Sequence, residues 1–187
     1  MSTLTATATA LDQIDRSLAL LVGEGQVVEL RALEAITRDF SRPHTESGYY
    51  DDLGKLARDA AKLDGNAKGV YFTLNPVSPD LLPRSVNRHR TARRGETTAN
   101  TDIVRIRWLP VDLDAVRPSG ISSTNEGHAN ALEKALLIRG ALRGMGWPDP
   151  IFADSGNGAH LLYRVDLEVE DAGLVVTCPH WLYHSLC

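Results

Sequence analysis

Residues 151–166 read IFADSGNGAHLLYRVD, and this stretch decides the fold. Two short apolar segments, Ile151 to Asp154 and Ala159 to Asp166, flank Ser155-Gly156-Asn157-Gly158. Asn-Gly between alternating segments is a strong short-range hairpin signal. Successive strand side chains point to opposite faces. Ala159, Leu161, Tyr163 and Val165 therefore share one face, and His160, Leu162 and Arg164 share the other. An apolar sheet face needs a covering layer, and the preceding sequence supplies a helix. Ala131, Ala135, Ile138, Leu142 and Met145 form a heptad-like stripe. Ser123 and Glu126 have capping-box spacing ahead of it, and Gly144, Gly146 and Pro148 stop it. Before the helix, Ile103 to Trp108 (IVRIRW) reads as a strand that Val111-Asp112-Leu113-Asp114 continues. Pro110 bends this strand or places it near an edge.

Further out, Leu11, Ile14, Leu18 and Leu21 fall on one helical stripe that Gly23 and Gly25 end. Gln26 to Leu33 (QVVELRAL) reads as a strand of ambiguous period, and Ser41 to Gly48 reads as a loop. Leu53, Leu56, Ala57, Ala60 and Leu63 repeat at helix spacing, with Asp51 and Asp52 in the first turn and Gly65 and Asn66 closing the helix. Gly69 to Leu74 (GVYFTL) reads as a strand. The order α-β-α-β-β-α-β-β predicts an α+β domain with an α/β-type mixed sheet and helices on one face. The expected organisation is a helical lead-in over 1–25, a main domain over 26–167 and an atypical tail over 168–187.

The 187 residues are 43% apolar and 24% charged, an ordinary globular balance. The absence of a run of about 18 apolar residues argues against a membrane span. The start, MSTLTATATALDQID, lacks the basic and apolar regions of a secretory signal. Two cysteines do not make a disulfide scaffold, so the expected location is the reducing cytoplasm. The net charge of -4 is unlike that of a protein that coats nucleic acid, so any nucleic-acid contact must come from a local patch.

Three groups of residues can carry chemistry. Asp112 and Asp114, two apart on a strand, lie on one face roughly 6–7 Å apart along the chain. Paired carboxylates there suit Mg²⁺ or Mn²⁺, which prefer oxygen ligands; the bland alternative is two solvated acids at a strand end. His160 and Arg164 share a sheet face and can hold a polyphosphate. Beside them, Ser155, Gly156 and Gly158 would let backbone N–H groups approach a phosphate, although the glycines could equally serve only the turn. Residues 84–94 carry five arginines (Arg84, Arg88, Arg90, Arg93 and Arg94) and no acid, with Arg105 and Arg107 beyond. This is either a phosphate-binding patch or a solvated loop. Cys178, His180, His184 and Cys187 in the tail are zinc-ligand types, but their spacing matches no standard zinc knuckle.

Taken together, GVYFTLNPVSPDLL, RIRWLPVDLDAVRPSGIS and GWPDPIFADSGNGAHLLYRVDL resemble the catalytic core of the archaeo-eukaryotic primase superfamily. The closer likeness is to the primase-polymerase type carried by bacteria, phages and plasmids. The resemblance spans roughly residues 10 to 167. It implies a sheet of RNA-recognition-motif-like topology and template-directed nucleotidyl transfer in DNA replication. Asp112 and Asp114 would be the catalytic carboxylates that hold Mg²⁺ or Mn²⁺. Ser155 and His160 would contact the phosphates of the incoming nucleotide. The implied partners are a DNA template, nucleoside triphosphates and, in the complete system, a helicase. The family also has a third acidic motif well downstream of the histidine. Here the chain runs only to Cys187, and no acid after Leu167 has that context. The expectation is a chain truncated or frame-shifted before that motif.

Two other classes compete. A glycosyltransferase also uses D-x-D, but it needs a nucleotide-binding region ahead of it and an acceptor-binding region after it. A rolling-circle nuclease needs two histidines around one apolar residue, whereas Leu161 and Leu162 follow His160. The remaining alternative is a non-catalytic nucleotide- or DNA-binding remnant of a primase-polymerase.

Overall fold

The computed structural model describes residues 2–116, 118, 120–171 and 173. The chain is α+β and divides into two compact units, 1–105 and 106–187. The main domain expected over 26–167 covers parts of both units. The lead-in helix belongs to the first unit's core rather than standing apart.

The first unit holds α1 (Ser2–Leu21), β1 (Val28–Ala35), β2 (His44–Tyr50), α2 (Leu53–Leu63), β3 (Gly69–Phe72) and the short β4 (Arg90–Thr91). The strands form one antiparallel sheet in the order β3-β1-β2-β4. On β1, whose period is ambiguous in the sequence, one face is apolar. Val28, Leu30 and Ala32 are buried with Leu18 of α1 and Leu56, Ala57, Ala60 and Leu63 of α2. Asp52 caps α2, its carboxylate accepting from the Lys55 amide at 3.0 Å. It therefore precedes the first turn instead of lying within it.

The Ser41–Gly48 loop is a correction, because His44 to Gly48 belong to β2, paired with β1. Its residues looked loop-like because they are polar, yet Glu46 and Ser47 are buried and their polar groups are hydrogen-bonded. Gly48 has a local reason to be glycine. A Cβ there would meet the Arg88 carbonyl and stand 2.9 Å from His89 Cα, so the strand and the 88–89 backbone touch only without one.

The second unit holds β5 (Ile106–Asp114), α3 (Asn125–Gly144), β6 (Ile151–Asp154) and β7 (Gly158–Leu167). Its sheet runs β5-β7-β6, antiparallel throughout. Here the predicted hairpin and helix are present. Leu109, Val111, Ala159, Leu161 and Tyr163 pack with Ala135, Ile138 and Leu142 of α3. Trp147 meets the Tyr163 ring edge-on at 5.2 Å. Pro110 lies on the edge strand β5, where a proline is tolerated. The helix is capped by Thr124, whose hydroxyl accepts from the Gly127 amide at 3.0 Å, not by Ser123. Met145, expected in the buried stripe, is the exposed C-cap residue. All pairings between named strands are antiparallel, so two antiparallel sheets replace the mixed sheet expected.

Candidate functional site

The edge strand β5 and the central strand β7 bring the candidate residues together. Asp112 pairs with His160 and Asp114 with Gly158. Leu113 and Val111 point to the α3 side, so the two aspartates project from the opposite face, and both are exposed. His160 Nε2 lies 3.1 Å from Asp112 Oδ1. Arg164 is on the same face as His160, with its guanidinium carbon 5.0 Å from the centre of the Trp108 ring, a cation–π contact. Gly158 keeps the ladder close at Asp114, since a Cβ there would meet the Leu113 carbonyl and stand 3.0 Å from Asp114 Oδ1.

The turn beside this face differs from the phosphate cradle expected of Ser155, Gly156 and Gly158. The Ser155 amide donates to the Gly158 carbonyl at 3.0 Å. The Gly156 amide donates to Asp154 Oδ1 at 2.7 Å, and the Gly158 amide to Ser155 Oγ at 3.0 Å. The turn's amides close on the turn itself, and the Ser155 hydroxyl is its internal partner. Two contacts that sequence reading missed hold the turn against α3 and its lead-in. His128 Nε2 lies 2.8 Å from Asp154 Oδ1, and Asn157 Oδ1 accepts the Ser123 amide at 3.0 Å. The Gly156 amide, then His128, hold the Asp154 carboxyl below its ordinary range.

Asp112 and Asp114 offer the oxygen donors that a hard divalent cation takes. Among the described residues no group of three or more His, Cys, Asp or Glu side chains is arranged to hold a metal ion. The two carboxylates therefore fit such an ion in kind but supply only part of its shell; water and phosphate oxygens would complete it. The Cys178, His180, His184 and Cys187 group lies outside the described residues.

The arginine group belongs to the first unit and is not uniform. Arg90 is tied inward, with Nη1 2.8 Å from Glu96 Oε2. Arg84, Arg88, Arg93 and Arg94 are exposed, and the Glu96 carboxylate that holds Arg90 also accepts the Arg93 amide at 2.9 Å. They keep the local positive charge that the sequence suggested.

The first unit also holds two buried carboxylates that sequence reading did not single out. Glu29 is fully buried, 2.5 Å from both Arg31 Nη2 and Ser47 Oγ, and it accepts the Thr98 amide at 3.1 Å. Glu46 accepts from His89 at 2.7 Å, His44 at 2.8 Å and the Thr91 hydroxyl at 2.9 Å. The available signal was the alternation in VVELRAL, which puts Glu29 and Arg31 on one strand face.

No known family model matches the chain, and no curated protein or solved structure is significantly similar to it. Among the described residues, no helix is long and apolar enough to cross a membrane.

Proposed function

We propose that the chain is a DNA primase-polymerase-type protein whose second unit handles a nucleoside triphosphate with Mg²⁺ or Mn²⁺. One observation carries this reading: two exposed carboxylates alternate on an edge strand, with an imidazole 3.1 Å from one of them on the neighbouring strand. A cation bound there would neutralise phosphate charge in nucleotidyl transfer. Asp112 and Asp114 would hold it. His160 presents Nε2 on the same face, where a phosphate oxygen can replace Asp112 as its partner. Arg164, steadied over Trp108, adds a second donor for phosphate.

The test is Mn²⁺-dependent binding of a labelled deoxynucleoside triphosphate, with circular dichroism on the same sample. Metal-dependent binding that the Asp112→Asn/Asp114→Asn double variant loses is the expected result. A folded chain that ignores the nucleotide would overturn the reading.

A second reading is a nucleic-acid-binding protein without catalysis. It is favoured by the four exposed arginines and by the pairing of Asp112 with His160. DNA binding that survives the double substitution, with no nucleotide incorporation by the wild type, would select it.

A further inference from the structure

A cavity of about 350 Å³ opens in the first unit, on the sheet face opposite α1 and α2. Arg31, Leu33, Tyr71, Thr98, Asn100 and Ile103 are among the residues that line it. We propose that it receives a nucleobase. This site needs neither Asp112 nor Asp114, so it goes beyond the metal chemistry proposed above.

Four features fit that ligand. First, Tyr71 is 56% exposed and its ring lies over Gly69, in space that a Cβ at residue 69 would fill. A ring supported on one side and open on the other is a stacking platform. Second, Arg31 stands directly across the ladder from Tyr71. Its Nε and Nη2 are both held by Glu29, and Nη2 also donates to the Thr98 carbonyl at 3.1 Å. The guanidinium plane is thereby fixed and its charge balanced, which suits a neutral planar ring better than a free anion. Third, polar residues line the cavity, Thr98 and Asn100 among them. The Asn100 side chain, exposed and without a hydrogen bond among the described residues, adds a donor and an acceptor. Fourth, Leu33 and Ile103 give the apolar wall that a base edge leaves unsatisfied elsewhere. A heterocycle with one polar edge matches this set.

The base could belong to a free nucleoside or to a single strand. The loop that closes the cavity carries exposed Arg93 and Arg94 shortly before Thr98, where they could take the phosphates flanking a bound base.

The experiment uses the full chain in EDTA, with a labelled oligothymidylate in one arm and deoxythymidine in the other. The Tyr71→Ala and Asn100→Ala variants should each weaken oligothymidylate binding, Tyr71→Ala by about tenfold, while Tyr71→Phe binds like the wild type. Deoxythymidine binding with the same sensitivity assigns the site to a free nucleoside; binding of the oligomer alone assigns it to a strand. Wild-type chain that binds neither probe, or oligomer binding that both alanine variants leave intact, would overturn the proposal. Asn100 is exposed, so its variant remains informative if Tyr71→Ala fails to fold. EDTA removes the cation on which the Asp112/Asp114 site would depend, which separates failure here from failure of the metal site.

Discussion

Asp112 and His160 face each other across the β5–β7 ladder, and His160 Nε2 approaches Asp112 Oδ1 to 3.1 Å. Both side chains are substantially solvent-exposed, 63% for Asp112 and 42% for His160. An exposed pair contributes little to stability, about 0–1 kcal/mol. The Asp112→Asn/Asp114→Asn double variant should therefore unfold in urea within about 1 kcal/mol of the wild type. Loss of Mn²⁺-dependent nucleotide binding in a variant of unchanged midpoint is the expected pairing. A large drop in midpoint would mean that the aspartates serve the fold.

Glu29 is a different kind of carboxylate. Burial pushes its carboxyl up, but hydrogen bonds from Arg31, Ser47 and Thr98, with the Arg31 charge, together pull it below the ordinary range. Glu29→Ala would strand the Arg31 charge and the Ser47 and Thr98 donors, at a cost of about 3–5 kcal/mol. Chemical denaturation measures it. Because the folded value is depressed, the contribution of Glu29 is present above the unfolded value of 4.5 and is lost as pH falls through the folded value. Glu29→Gln should be less stable at neutral pH and show a flatter acid limb.

His44 has the opposite sign. A hydrogen bond with the Arg42 carbonyl, opposed by burial and reinforced by Glu46, raises its pKa above 6.5. Its stabilisation is thus complete below pH 6.5 and is lost as pH rises through the folded value. A urea midpoint followed across that range should fall in the wild type and fall less in His44→Gln. Equal slopes would show that the Glu46 cluster does not gain from the charged imidazole.

Gly48 tests the close backbone contact between β2 and the 88–89 segment. A Cβ would be placed 2.7 Å from the Arg88 carbonyl carbon and 2.9 Å from His89 Cα, both backbone atoms that cannot swing away. Gly48→Ala should cost about 1–3 kcal/mol. An unchanged denaturation midpoint would show that the 88–89 segment can yield.

The α3–β6–β7 arrangement was legible because its signals are local. Asn157-Gly158 marks the turn, and the alternation from Ala159 to Val165 and the stripe from Ala131 to Leu142 mark the packed faces. Two residues apart on an edge strand, Asp112 and Asp114 were placed on one face by period alone. The use of the turn's amides was not legible. Whether Gly156 N–H meets a phosphate or Asp154 depends on how the loop closes, and both outcomes have the same sequence.

The sequence by itself determined the helices, the hairpin, the helix-facing side of β7 and the strand that carries the two aspartates. Tertiary structure alone decided that the polar stretch around Glu46 is a strand. It also decided that Glu29 and Glu46 are buried with partners and that a cavity lies beside Tyr71. The physical reason is distance along the chain. A residue's period and turn chemistry are set by its immediate neighbours. A buried charge is tolerated only when partners reach it, and here the Thr98 amide reaches Glu29 from 69 residues away and His89 reaches Glu46 from 43.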